Sequence, residues 1–132
     1  MRHAQRLPGG ELEYAVLFAL CDRKKATARE IHSRVGQAQG LVYTTIAKVL
    51  DRLHAKDLIS RRREGRAFTY QPRITRAALE RARAREALRR LIGPSPAPAM
   101  ATLVDAVESL SPDLLDELAR QVEARRRSRR GS

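Results

Sequence analysis

The chain has 132 residues, enough for one compact domain or for a small domain carrying an oligomerisation arm. Charged residues make up 32% and aromatics 4%, so the core must be mostly aliphatic, and the formal net charge is +12. No apolar run approaches the length of a membrane span, the first residues lack the apolar core of a signal peptide, and the single cysteine excludes an intrachain disulfide, so a cytoplasmic protein with no membrane partner is expected.

The charge is unevenly placed. Residues 1–72 hold 14 Lys and Arg against 7 Asp and Glu, residues 73–119 hold 7 of each, and residues 120–132 hold 6 Arg against one Glu. A neutral middle means that the excess marks an N-terminal face and a C-terminal tail, and nucleic acid is the favoured partner of such a pattern.

Residues 1–10 are basic and end in Pro8-Gly9-Gly10, a flexible lead-in. From Glu11 the spacing predicts a helix with Leu12, Ala15, Val16, Ala19 and Leu20 on one face and Tyr14 and Phe18 flanking it. It ends in Arg23-Lys24-Lys25, cations where the helix dipole favours them. Cys21 near this end reads as a small packing residue. Thr27-Ala28-Arg29-Glu30 is a capping box opening a short helix, with Ile31 and Val35 inward and Gly36 as its end.

After the turn Gln37–Gly40 comes the segment around which the chain is organised, GLVYTTIAKVLDRLHAKDL. Val42, Ile46, Val49, Leu50 and Leu53 form one helical stripe that needs a core. The opposite ridge carries Thr44, Thr45, Lys48, Arg52 and Lys56, hydroxyls and cations suited to base edges and phosphates. Next, Ile59–Pro72 holds two β-prone runs around Glu64-Gly65, a hairpin with Arg61, Arg62, Arg63 and Arg66 crowding its tip. Phe68 and Tyr70 alternate with Ala67 and Thr69, so both rings share a face; base or sugar contact is one reading, and closing the core over the long helix is the one preferred. A helix pair followed at once by a basic hairpin is the layout of a winged helix-turn-helix. The plainer reading is a surface helix beside a solvated Arg-rich hairpin.

Pro72 ends the hairpin. Ile74–Ile92 is rich in Ala, Leu and Arg, good helix formers, but its apolar face is thin until Leu88, Leu91 and Ile92, so an exposed connecting helix is expected. Gly93–Ala99, with its prolines, reads as a hinge or linker. Met100, Leu103, Val104 and Val107 mark a short helix, and Ser111-Pro112-Asp113 starts another, striped by Leu114, Leu115, Leu118 and Val122. Two short helices cannot bury all of these side chains against each other, so a second copy is expected to cover them as a homodimer. The final RRRSRR run suits acidic lipid or DNA as a partner, but its first reading is a solvated, disordered end.

Nothing in the spacing suggests an enzyme, a cofactor or a metal site. His32 and His54 lack paired-His or HExxH spacing and read as polar surface residues, and no Ser/His/Asp group or Gly-rich phosphate loop is present. The fold expected is mainly α with a small β-hairpin wing. Its domains are a flexible N-terminus over 1–10, a winged-helix DNA-binding domain over 11–73, a helical linker and dimerisation domain over 74–124, and a basic tail over 125–132.

With these residues assembled, the chain resembles the penicillinase-repressor family of bacterial transcriptional regulators from about Leu12 to about Val122. YTTIAKVLDRLHAKDLI followed by GRAFTYQP carries the resemblance most specifically, and Glu11–Leu20 and ATAREI also fit. The resemblance implies a winged-helix homodimer that sits on a palindromic double-stranded DNA operator and blocks transcription. By position, Thr44, Thr45 and Lys48 match the family's operator-reading residues, and Arg63 and Arg66 fall in its wing. Copper-sensing members end in Cys-X-Cys motifs, and here no cysteine follows Cys21. Members released by a regulatory protease are cut at an Asn-Phe bond in the dimerisation arm, where this chain has Asp105-Ala106. The alternatives are a non-specific or architectural DNA-binding protein, and a protein-interaction module whose basic tail meets an acidic partner.

Overall fold

Thr27 opens the helix-turn-helix with the reciprocal bonds its sequence encodes. Its hydroxyl accepts from the Glu30 amide at 3.2 Å, and the Glu30 carboxylate accepts from the Thr27 amide at 2.9 Å. The computed structural model describes residues 8–131, so the first seven residues of the expected lead-in and Ser132 lie outside the described residues.

The first unit reaches Arg85. It contains α1 (Glu11–Arg23), β1 (Ala26–Thr27), α2 (Ala28–Ile31), α3 (Tyr43–Ala55), β2 (Ile59–Glu64), β3 (Ala67–Pro72) and the start of α4 (Arg76–Ile92). A π-type turn (His32–Gly36) and a 3-10 turn (Gln37–Gln39) prolong α2 towards α3. β3 is the central strand of a three-stranded antiparallel sheet in the order β1-β3-β2, with Arg61 opposite Tyr70, Arg63 opposite Phe68 and Ala26 opposite Tyr70. Glu64 pairs with Ala67, so the hairpin loop is Gly65-Arg66, one residue later than the sequence suggests. Gly65 takes the first loop position at φ 66°, where a two-residue loop calls for glycine.

The core is aliphatic, as the composition requires. Val16, Leu17 and Leu20 of α1 meet Ile31, the α3 stripe Ile46, Val49, Leu50 and Leu53, then Leu58, Ile59 and Tyr70. Leu17 is fully buried while Leu12 and Ala15 are only partly so, because α1 is enclosed on more than one side. α4 also differs from expectation: Leu79 and Ala82 are buried in the same core. Its first half therefore belongs to the winged-helix unit, which runs beyond the expected boundary at 73.

Gly36 is not the stop of its helix. It lies inside the turn at φ −70°, and an added Cβ would sit 2.6 Å from His32 Cδ2 and 3.1 Å from Ile46 Cγ1. Close packing, not a left-handed conformation, requires glycine there. The stop is Gly40, at φ 68°.

The second unit, Glu86–Ser132, contains the end of α4, α5 (Pro96–Leu110) and α6 (Pro112–Arg130). The expected linker shrinks to Gly93–Ser95, since α5 begins at Pro96 and its first turn tolerates proline. Ser111 caps α6 as expected, its hydroxyl accepting from the Asp113 amide at 3.2 Å. The basic segment expected to be disordered is helical to Arg130. Arg and Ala are strong helix formers, and arginines in the last turn complement the dipole. α5 and α6 pack together, yet neither contains a fully buried residue.

Candidate nucleic-acid interface

α3 divides its residues as a half-buried helix must. Ile46, Val49, Leu50 and Leu53 are fully buried, while Thr44 and Lys48, one turn apart, are exposed on the other side. Thr45 is half-buried. Val42, expected in the apolar stripe, is 63% exposed. It precedes the first helical turn in extended conformation, so the helical period does not govern where it points.

At the far end of the ridge Lys56 is drawn inward, whereas Arg52 stays exposed. Lys56 is 19% exposed along its side chain and lies 2.8 Å from Glu13, whose own side chain is 8% exposed. Arg52 also approaches Glu13, at 3.4 Å, but remains largely exposed. Burial opposes the Glu13 charge, yet bonds from Lys56, the Gly9 amide and Arg52 together outweigh it and hold the carboxyl below the usual range. Lys56 is thus an internal anchor between α1 and α3, a role invisible to a helical wheel.

The four wing arginines separate by strand alternation. Arg61 and Arg63 lie over the Phe68 ring, at 4.8 Å and 5.7 Å from its centroid. Arg61 also pairs with Asp51 of α3 at 3.6 Å, tying the helix to the wing. Arg62 lies on the opposite face, beside Lys25, Glu64 and Thr69. Arg66 joins Arg29, Tyr43, Phe68 and Tyr70 around a cleft of ≈ 490 Å³ between the start of α3 and the wing. The two wing aromatics part company: Tyr70 is buried in the core, whereas Phe68, nearer the tip, is 37% exposed and serves as a platform for arginines.

Three contributors to this face escape a reading by pattern. Tyr43 is 45% exposed at the start of α3, and Arg29 stands exposed at the start of α2. His32, expected to be a polar surface residue, is half-buried, with Nε2 2.7 Å from the Leu41 carbonyl oxygen. A carbonyl only accepts, so Nε2 carries the proton and staples the turn before α3. Its ring also meets Tyr43 edge-on, with centroids 6.1 Å apart. The position after the capping box is the one sequence signal available for His32, and it is weak. His54 is exposed. Cys21 is half-buried, its thiol donating to the Ile74 carbonyl at 3.6 Å, and burial pushes its pKa up, which suits packing and not nucleophilic chemistry.

In the second unit the expected dimerisation residues split. Leu103, Val107, Leu115 and Leu118 are half-buried, whereas Met100, Val104, Leu114 and Val122 are exposed. Leu110, not singled out by the spacing, is the most exposed large apolar side chain at 77%. Among the described residues no group of His, Cys, Asp and Glu is arranged to hold a metal ion, and no helix is long and apolar enough to cross a membrane.

Comparison with known proteins accords with this geometry. Residues 9–124 match the family model described as penicillinase repressor. The chain is 39% identical over 64 residues to the transcriptional regulator BlaI of Mycobacterium tuberculosis, in strains CDC 1551 and H37Rv alike. That match covers 48% of this chain and 46% of the relative, so the chain spans about half the length of the curated relatives it matches. The solution structure of the DNA-binding domain of the repressor BlaI superposes with a TM-score of 0.50 at 22% identity, over 57% of this chain and 93% of that domain, which establishes the winged-helix fold. The model match spans nearly the whole chain, and the protein belongs to the penicillinase repressor family.

Proposed function

We propose that the chain is a sequence-specific DNA-binding transcriptional repressor, acting as a homodimer on a palindromic operator. The observation that carries this reading is the exposed pair Thr44 and Lys48, set opposite the buried stripe of α3 and beside a wing whose Arg63 and Arg66 have no carboxylate partner among the described residues. A threonine can bond a base edge or pack its methyl against thymine, and a lysine can reach guanine acceptors. The wing cations supply affinity without sequence preference. Thr45, half-buried, is assigned to the same reading surface.

The dimer reading is supported by the apolar side chains that α5 and α6 leave exposed: Met100, Val104, Leu110, Leu114 and Val122. They keep between 39% and 77% of their surface exposed, so each stands to gain part of the about 1.5–3 kcal/mol that burying a fully exposed side chain gives, and a second copy is the simplest cover. A two-fold dimer then meets two half-sites. Any regulatory protease that releases the operator by cutting at Asp105-Ala106 must first unwind α5, where the Ser109 hydroxyl donates to the Asp105 carbonyl at 2.9 Å.

The test is a paired titration at one salt concentration, against an operator recovered by genome-wide mapping of bound sites and against a scrambled duplex. Thr44→Ala, Thr45→Ala and Lys48→Ala should each cost on the order of 1–3 kcal/mol on the operator and much less on the scrambled DNA. Equal losses on both duplexes would replace the repressor with an architectural DNA-binding protein.

A further inference from the structure

The basic end of α6 is not absorbed by the winged-helix reading. Two of its arginines are neutralised locally: Arg120 lies 2.7 Å from Glu117 and Arg130 lies 3.1 Å from Glu123. Arg125, Arg126, Arg127 and Arg129 have no carboxylate partner among the described residues and are all exposed. They sit on regular helix, where residues three and four apart are neighbours, so Arg125 faces Arg129 and Arg126 faces both Arg129 and Arg130. Like charges at those spacings destabilise the helix, and a polyanion relieves the repulsion.

We propose that Arg125, Arg126, Arg127 and Arg129 form a second, sequence-independent contact surface for the phosphate backbone of duplex DNA. The proposal rests on the DNA-binding reading and adds to it a surface outside the winged helix. Three features select the partner. Successive arginines step around the helix at about 100° per residue, giving a cationic cylinder that tolerates many approaches, not a ridge that reads bases. All are Arg and none is Lys, which favours bidentate contact with phosphate oxygens. Between residues 123 and 130 the only apolar side chain is Ala124, so the segment has neither the apolar face that holds a helix in a lipid surface nor the aromatic anchors of a protein interface.

The experiment compares the full chain with a variant carrying Arg125→Gln, Arg126→Gln, Arg127→Gln and Arg129→Gln, and with a second carrying Lys at the same positions. Gln preserves helix propensity, and circular dichroism checks that the helix persists. Binding is measured from about 50 to 200 mM salt, on operator and scrambled duplexes extended by about one helical turn on each side, ~10 base pairs. The Gln variant should bind both duplexes more weakly, with the slope of log K against log salt shallower by about 0.9 for each phosphate no longer neutralised. If two phosphates are released in this way, the fall in affinity over that salt range shrinks by roughly tenfold. The Lys variant should recover most of the slope, and operator preference should stay unchanged in all three proteins. Identical slopes for wild type and the Gln variant would overturn the proposal, as would unchanged slopes with arginine-dependent binding to phosphatidylserine vesicles. Absence of operator preference in the wild type would instead refute the repressor reading, leaving the slope comparison to decide on α6.

Discussion

Lys56 at the end of α3 and Glu13 in α1 meet at 2.8 Å in a largely enclosed site, with the Gly9 amide donating to the same carboxylate at 3.0 Å. The contact fixes the far end of the recognition helix against the first helix of the fold. It also engages inside the protein a cation that its position on the helical wheel would place on the exposed polar ridge. Local period tells which side of a helix is polar. It does not tell which polar residue is occupied inside the protein.

Lys56→Met should therefore lower stability, on the order of 2 kcal/mol, and leave the salt dependence of DNA binding unchanged. For a domain of this size that is a fall in Tm of roughly 4–8 °C per kcal/mol. Thermal unfolding and DNA titration of one preparation check both halves. A shallower salt slope with unchanged Tm would restore Lys56 to the phosphates.

The same pair gives a pH dependence. The Glu13 carboxyl titrates below its ordinary range in the folded protein, because its bonds to Lys56, Gly9 and Arg52 outweigh the opposing effect of burial. Its contribution is fully present above the unfolded-state value, about 4.3, and is lost as pH falls through the lower folded value. Glu13→Gln should cost stability at neutral pH and flatten the acid limb of the stability curve. Parallel curves for the two proteins below about pH 5 would show that Glu13 has no linkage to folding.

Gly36→Ala tests the packing of the helix-turn-helix. The new Cβ would crowd His32 and the Ile46 side chain without straining the backbone. A destabilisation of about 1–3 kcal/mol is expected, typical of overpacking. Denaturant unfolding measures it. A neutral effect would mean that the His32 ring and its bond to Leu41 move aside at little cost.

Much of this fold is legible because its signals are local. The Thr27 capping box, the α3 stripe from Ile46 to Leu53, the Gly65 turn and the Ser111-Pro112 start each depend on residues within a few positions of one another. What pattern misses is set by tertiary partners. Leu79 and Ala82 look like a thin face until the core of the first unit receives them. Phe68 and Tyr70 alternate identically, and only distance from the core along β3 buries one and exposes the other. The candidate site is legible in the same measure: Thr44 and Lys48 follow from helical phase, whereas Tyr43, Arg29 and the occupation of Lys56 and Arg61 do not.

The arm offers a cleaner test of dimerisation than its inner residues do. Leu103 and Leu118 are half-buried, so charging them would disturb the packing of their own unit. Val104 and Leu114 are exposed. Val104→Asp and Leu114→Asp should leave helix content unchanged while shifting the protein from dimer to monomer in sedimentation at micromolar concentration. Operator affinity should fall with the dimer, because the second half-site then no longer binds intramolecularly. A monomeric wild type would remove the dimer reading.

The wing arginines should not be equivalent, and their separation tests the geometry of the whole face. Arg61 is held by Asp51 at 3.6 Å and by the Phe68 ring, so its guanidinium is engaged within the protein. Arg63 shares that ring at longer range, and Arg66 stands at the cleft beside Tyr43 without a carboxylate partner among the described residues. Arg62 faces away, towards Lys25 and Glu64. Arg63→Ala and Arg66→Ala should each make the slope of log K against log salt shallower by about 0.9 and weaken operator and scrambled duplexes alike. Arg62→Ala should change the slope least. Arg61→Ala should act through the position of the wing: the exposed ion pair contributes about 0.2–1 kcal/mol to stability, so unfolding shifts little. Asp51→Asn should reproduce the Arg61→Ala effect on DNA binding, since either substitution removes the ion pair between α3 and the wing while the core contacts of Ile59 and Tyr70 stay in place. An Arg61→Ala loss equal to that of Arg66→Ala in slope, with no matching effect of Asp51→Asn, would make Arg61 a phosphate contact and the clasp between α3 and the wing inconsequential.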